Sequence, residues 1–206
     1  MNMNLKKVIS SIAVLAMSAS CFTAFAADFS DVADTAAYKT AVDELVALKV
    51  VNGYEDGTFK PDNEITRAEV TKMVVAAMGP SYTAAAESSA ATSDFTDCTN
   101  HWAKGYINVG VAQKFINGMG DGTFAPDSNV TFAQITKMLV AALGYTSAAE
   151  GAGGYPNGYL QVGASTGVTS GVSGLNADTN VTRAQVAQLV YNALTAPVVE
   201  NKGVAY

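Results

Sequence analysis

An eleven-residue segment of this chain recurs after 65 positions: Asn52-Gly53-Tyr54-Glu55-Asp56-Gly57-Thr58-Phe59-Lys60-Pro61-Asp62 returns as Asn117-Gly118-Met119-Gly120-Asp121-Gly122-Thr123-Phe124-Ala125-Pro126-Asp127. A chain that repeats at such a period builds its fold from copies of one supersecondary unit, each covering its neighbour's apolar face. The same offset carries Ile65-Thr66-Arg67-Ala68-Glu69 onto Val130-Thr131-Phe132-Ala133-Gln134, and upstream Phe29-Ser30-Asp31 matches Phe95-Thr96-Asp97. A third, weaker copy has a shorter loop from Gly171 and closes on Val181-Thr182-Arg183-Ala184-Gln185, with Gly154-Tyr155 to Tyr159-Leu160 in place of the Phe-x-Asp start.

Each copy reads as helix, loop, helix. Thr66, Thr131 and Thr182 are followed three residues later by Glu69, Gln134 and Gln185. That is a capping box: the hydroxyl accepts an orphan N–H and the Glu or Gln reaches back. The stripes Val70, Met73, Val74, Ala77; Ile135, Met138, Leu139, Ala142; and Val186, Leu189, Val190, Ala193 then follow the i, i+3, i+4, i+7 spacing of one helix face. Gly79 and Gly144 end the first two of these helices. Tyr38, Val42, Leu45 and Val46 mark the first helix of copy one, and Trp102, Tyr106, Ile107 and Val111 that of copy two. Between them, Asp-Gly-Thr-Phe-x-Pro-Asp is turn chemistry, with the phenylalanine expected to plug the loop onto its own helix pair. The organisation is a leader at 1–26, repeats at 28–80, 94–145 and 154–196, Ala/Ser/Gly-rich linkers at 81–93 and 146–153, and a tail at 197–206. One such pair cannot bury a stable core alone. The expected fold is therefore all-α, with three helix-loop-helix repeats packed as one unit.

The leader has Lys6 and Lys7, an apolar run from Val8 to Met17, and Ala24-Phe25-Ala26, the pattern of a secretory signal peptide cut after Ala26. A lipoprotein reading through Cys21 lacks the aliphatic residue three positions earlier. The apolar run falls short of the ~20 residues that span a bilayer. The processed chain would carry 10 basic against 18 acidic residues, a net charge of -8, with Cys98 its one cysteine. Such a charge excludes a broad nucleic-acid-binding face, and one cysteine excludes an internal disulfide. No second spanning segment and no Leu-Pro-x-Thr-Gly sorting signal follow, so a secreted chain that stays with the cell needs a non-covalent hold.

Several motifs fail on context. Gly163-Ala164-Ser165-Thr166-Gly167 matches a nucleophile elbow, but it aligns with the end of a repeat's first helix, and the chain's one histidine, His101, precedes it. Cys98 and His101 share a loop with no third partner. Asp56-Gly57 and Asp62-Asn63 lack the twelve-residue calcium-loop spacing. Asn129-Val130-Thr131 and Asn180-Val181-Thr182 are formal glycosylation sequons whose threonines already serve as caps. No catalytic residue, metal or cofactor is expected.

The Phe-x-Asp starts, the Trp102-Ala103 pair, the Asn-Gly-x-x-Asp-Gly-Thr-Phe-x-Pro-Asp loops and Thr66-Arg67-Ala68-Glu69, in this order and spacing, resemble the S-layer homology domain family over residues 28 to about 196. The resemblance implies a pseudo-threefold helical assembly whose inter-repeat grooves bind a cell-wall polysaccharide, in many members a secondary polymer bearing ketal-linked pyruvate. It implies an exported module at the cell wall or S-layer surface that anchors a larger protein non-covalently. About ten residues follow the third repeat, which leaves open a piece of a longer cargo-bearing protein or a stand-alone wall protein. The alternative is a structural component that self-assembles or packs with other envelope proteins.

The residue chemistry agrees with the anchor reading. The chain's two arginines, Arg67 and Arg183, both follow a capping threonine. There the helix dipole and free N–H groups favour an anion, and a guanidinium offers a two-pronged donor to a carboxylate. Pairing of each arginine with a neighbouring acid such as Asp31 or Asp97, locking repeats together, is the competing role. Asp31 and Asp97 are candidates to accept from sugar hydroxyls, or to cap the first helices. Glu69 belongs to the same candidate glycan-binding set. Trp102 reads as core or as a sugar platform. Gly53, Gly57, Gly118 and Gly122 allow close backbone approach or simply serve the turns. Phe132 replaces the arginine in copy two, with Lys137 one turn further on as a partial substitute, although Lys72 holds that place in copy one; Ala37 replaces the tryptophan in copy one.

Overall fold

The computed structural model describes residues 29–199, so the leader at 1–26, its cleavage site and the last seven residues lie outside the described part. The described residues form eight α-helices and no β-strand. They are α1 (Lys39–Ala47), α2 (Arg67–Ala77), α3 (Pro80–Glu87), α4 (Lys104–Ala112), α5 (Phe132–Ala142), α6 (Thr146–Gly151), α7 (Asn157–Ser165) and α8 (Arg183–Thr195). Among the described residues no helix is long and apolar enough to cross a membrane.

The second helices of the repeats, α2, α5 and α8, start where the capping boxes place them, and all three boxes form on both sides. Gly79 and Gly144 follow the last turns of α2 and α5 with positive φ, as helix-stopping glycines do. These three helices meet one another at the centre of the molecule. Around them the main helix-on-helix contacts run between repeats: α2 packs on α4, α5 on α7, and α8 on α1, which closes the ring. The unit of packing is thus a second helix with the first helix of the next repeat, rather than the helix pair within one repeat.

The loops close the same ring. Isolated backbone pairings join Thr66 to Asn129, Thr131 to Asn180 and Glu64 to Thr182, so each repeat touches both others. The Glu64 carboxylate accepts from the side-chain amides of Asn129 and Asn180. Both sequon asparagines are thereby engaged in the inter-repeat seam.

Both segments read as linkers carry helices. Within 81–93 lies most of α3, and within 146–153 lies α6. Each docks on the first helix of the following repeat through a matched set. Tyr106 donates to Glu87 at 3.0 Å, and Tyr159 donates to Glu150 at 2.7 Å. Gly105 and Gly158 let the backbones approach Ala86 and Ala149. Alanine-rich composition suits a short helix as well as a linker, and only the docking decides between them.

Candidate functional site

The first turns of the three central helices are already satisfied. Arg67 N–H donates to Ser128 O and Ala68 N–H to Pro126 O. Phe132 and Ala133 donate to Thr179 O and Ala177 O, and Arg183 and Ala184 to Asn63 O and Pro61 O. The next N–H in each helix goes to the capping threonine. The expectation that free N–H groups there receive an anion is therefore corrected: neighbouring loop carbonyls occupy them.

What remains for a ligand is the arginine side chains. Arg67 is 7% exposed and Arg183 is 8% exposed. Arg67 crosses into the loop of repeat two, where its Nε donates to Phe124 O at 2.8 Å and its guanidinium lies 4.4 Å from the Phe124 ring. Arg183 makes the same contact with repeat one, Nε to Phe59 O at 2.9 Å. Burial pushes the Arg67 pKa below its ordinary value, yet a guanidinium stays charged in proteins. Neither arginine pairs with Asp31 or Asp97. Arg183 has a longer contact with an acid, Nη1 to Glu69 Oε1 at 3.7 Å.

Asp31 and Asp97 clamp the loops and do not cap the first helices. Asp31 accepts from Phe59 N–H and Lys60 N–H at 2.7 and 2.8 Å. Asp97 accepts from Phe124 N–H at 3.0 Å and Ala125 N–H at 2.7 Å. Desolvation opposes its ionisation, but these backbone donors outweigh it and hold the Asp97 carboxyl below the usual range. Phe59 and Phe124 are buried, each packed on the phenylalanine of its own Phe-x-Asp start with ring centroids 5.5 Å apart. The loop plug thus also forms the surface on which the neighbouring repeat's arginine rests.

The candidate glycines have fold roles. A Cβ on Gly53 would lie 2.0 Å from the Phe29 ring, and one on Gly118 would lie 2.4 Å from the Phe95 ring. Gly57 and Gly122 hold the loops at φ 76° and 87°, a left-handed turn that glycine adopts without strain.

Between Arg67 and its neighbours lies an open groove of about 190 Å³. Three repeats line it: Arg67 from the first; Asn117, Met119, Gln134 and Lys137 from the second; Tyr155 from the third. The lining holds two cations and no acid. Lys137 Nζ sits 5.3 Å from the Tyr155 ring and 5.6 Å from that of Tyr159. Met119 and Tyr155 are half exposed at its rim.

Pseudo-symmetry locates the other two grooves. Arg183 faces Tyr54 of the repeat-one loop at 4.9 Å and Glu69 of α2 at 3.7 Å, and the repeat equivalence assigns Lys72 and Trp102 the places that Lys137 and Tyr155 hold in the Arg67 groove. Trp102 is 56% exposed, so the core reading of this residue is corrected and the platform reading is geometrically open. The same equivalence assigns the Phe132 groove the loop of repeat three, the start of α8 and, in the aromatic place, Ala37. Both departures from the repeat pattern therefore fall in one groove and leave two complete. Lys137 cannot substitute for the missing arginine: it sits on α5 facing the Arg67 groove, not the Phe132 groove. Tyr155, Met119 and Asn117 line this groove though sequence reasoning did not single them out, and Lys137, which it did, lies in this groove instead of beside Phe132. The signal was present in the loop repeat and in the alignment of Tyr155 with Trp102, but it was hidden because each groove draws on three repeats.

Residues 28–71 and 94–136 match the model of the S-layer homology domain. These two repeats are S-layer homology domains. Their matched residues supply the Arg67 groove with everything except Lys137, Met138 and Tyr155. The chain is 35% identical over 204 residues, 96% of its length, to a cell surface protein of Thermoanaerobacter kivui, and spans 26% of that relative. It is 30% identical over 200 residues, 95% of its length, to a surface layer protein of Brevibacillus choshinensis, spanning 17% of it. A cellulosome-anchoring protein of Acetivibrio thermocellus matches 46% of the chain at 37% identity, and 22% of that relative is covered. The chain thus spans about a quarter or less of the length of these relatives.

Cys98 and His101 are both engaged in local contacts. Cys98 is buried, and burial, followed by the Asp97 carboxylate beside it, pushes its thiol up to about 12. His101 takes Ala103 N–H on Nδ1 and meets Asp127 through Nε2 at 3.1 Å, a loop-fixing role. Among the described residues no cluster of three or more metal-ligating side chains forms. At pH 8 the native thiol is expected to react with an aromatic disulfide reagent at least about a hundredfold more slowly than in denaturant, because only the thiolate attacks. Equal rates in the two conditions would contradict the buried placement.

Proposed function

We propose that this chain is a non-catalytic cell-wall anchoring module of the cell surface, which binds an acidic, pyruvate-bearing wall polysaccharide in its inter-repeat grooves. One observation carries the reading: the Arg67 groove gathers two cations and a half-exposed aromatic ring, with no acid in its lining. A guanidinium and an ammonium there suit a carboxylate, and an exposed ring beside them suits the C–H face of a sugar. The volume, about 190 Å³, lies below the roughly 300–1,000 Å³ of pockets that enclose a drug-sized ligand. Such a groove takes one sugar unit of a polymer whose neighbours stay in solvent. Two competent grooves on one repeating polymer would add avidity without new contacts. The similarity to cell surface and surface layer proteins, and to a cellulosome-anchoring protein, supports the same place of action.

The test is co-sedimentation of residues 27–206, which hold the whole described fold, with purified walls, intact and stripped of secondary polymer. Lys137→Gln and Tyr155→Ala are the useful variants, because these side chains line the groove and the contact between them, Lys137 Nζ 5.3 Å from the Tyr155 ring, is long and exposed and costs little to lose. Binding to intact walls alone, weakened several-fold by either variant, is the expected result. Equal binding to stripped walls would sink the glycan reading and favour protein or peptidoglycan partners.

A further inference from the structure

The two complete grooves differ in charge at one position. Gln134 lines the Arg67 groove as the third residue of α5, and its side chain serves the capping box through Oε1. The equivalent residue of α2 is Glu69. Its Oε2 accepts from Thr66 N–H at 2.9 Å, while Oε1 points at Arg183, 3.7 Å from Nη1. Of the other charges on that side, Lys60 and Asp56 offset each other and Lys72 matches Lys137 of the other groove, which leaves Glu69 as the difference. Lys60 lies 4.0 Å from the Tyr54 ring that Arg183 also faces at 4.9 Å, but it pairs with Asp56 at 3.5 Å. Lys72 sits over Tyr106 at 5.9 Å, as Lys137 sits over Tyr159 in the other groove. So the Arg67 groove presents Arg67 and Lys137 unopposed by any acid in its lining, whereas the Arg183 groove carries a carboxylate of its own against its guanidinium.

We propose that Glu69 occupies the Arg183 groove as an internal competitor for acidic ligands, making the Arg67 groove the stronger carboxylate site and the Arg183 groove the weaker one. This rests on the acidic-glycan reading above. A ligand carboxylate entering the Arg183 groove meets Glu69 as a like charge and must displace or share its guanidinium. In the Arg67 groove a neutral amide does the capping and repels nothing. An ion pair of this partly exposed kind is worth up to about 1 kcal/mol, which corresponds to roughly a fivefold difference in affinity.

The two grooves can be read separately, because Trp102 is the chain's single tryptophan and, by its equivalence to Tyr155, holds the aromatic position of the Arg183 groove. The probe is a monosaccharide glycoside carrying a ketal-linked pyruvate, with its methyl ester as the uncharged control. Calorimetry reports total binding and tryptophan fluorescence reports the Arg183 groove. In the parent chain the fluorescence midpoint is expected at roughly fivefold higher probe concentration than the main heat. Glu69→Gln should lower the fluorescence midpoint by about the same factor. Gln134→Glu should weaken the main heat and leave the fluorescence midpoint where it was. Folding is not at risk in either variant, since both side chains already serve equivalent capping boxes in this chain. Coincident midpoints in the parent, or a fluorescence midpoint unmoved by Glu69→Gln while heat is still released, would overturn the role of Glu69 and leave the glycan reading standing. No heat from the acid probe in any variant would overturn both.

Discussion

Replacing Arg67 by alanine is expected to destabilise the fold by about 2–3 kcal/mol and to remove most of the binding strength of its groove. The side chain is buried, and its Nε–H is a charge-assisted donor to Phe124 O at 2.8 Å. Such a bond contributes roughly 1.5–3 kcal/mol, and its loss leaves the Phe124 carbonyl short of a donor. Loss of the guanidinium over the Phe124 ring adds a smaller cost. Relief of arginine desolvation works the other way and keeps the net figure in the low range. A domain with about 5–15 kcal/mol of stability stays folded after such a loss at 25 °C. Urea titration alongside wall binding separates the two effects, with Lys137→Gln as the companion variant. That change should leave the urea midpoint almost unmoved and lower binding alone. If Arg67→Ala unfolds at the parent's midpoint, the guanidinium does not join the repeats as described.

Gly105→Ala is expected to destabilise the chain by about 1–3 kcal/mol through overpacking, even though alanine is the better helix former by about 1 kcal/mol. A Cβ at this position would sit 1.9 Å from Ala86 O, a backbone atom that no rotamer change can move aside. The helices α3 and α4 would have to separate, stretching the Tyr106–Glu87 hydrogen bond. Gly158→Ala should behave alike, since its Cβ would lie 2.0 Å from Ala149 O. Gly151→Ala is the matched control, because nothing lies within 4 Å of the Cβ it would add; it should be neutral or slightly stabilising. Melting temperatures of the three variants decide the matter. A Gly105→Ala protein as stable as the control would mean that the joining helix does not dock.

The start of each central helix was legible because a capping box is a local device: four residues contain both partners of both hydrogen bonds. The apolar stripes were legible for a similar reason, since helical periodicity lies in one segment. The roles of Asp31 and Asp97 were not. Their partners are amides 27 to 29 residues away, and nothing in Phe-x-Asp says which backbone closes over the carboxylate. Lys137 was misplaced for a geometric reason. It lies five residues after Phe132 on the same helix, but at about 100° per residue that spacing turns it to a different face.

By itself, the sequence determined the repeat unit, its helices and their starts, the all-α class, and the arginine pair that marks two of three equivalent positions. Each of these is encoded within a window of a few turns. Only the tertiary structure decided which helices pair, that the joining segments are helices docked by Gly-Tyr against Ala-Glu, and that Phe132 and Ala37 share one groove. Those outcomes depend on how the ring closes. Each complete groove takes its arginine from one repeat, its loop from the next and its aromatic rim from the third, so no single repeat contains a site.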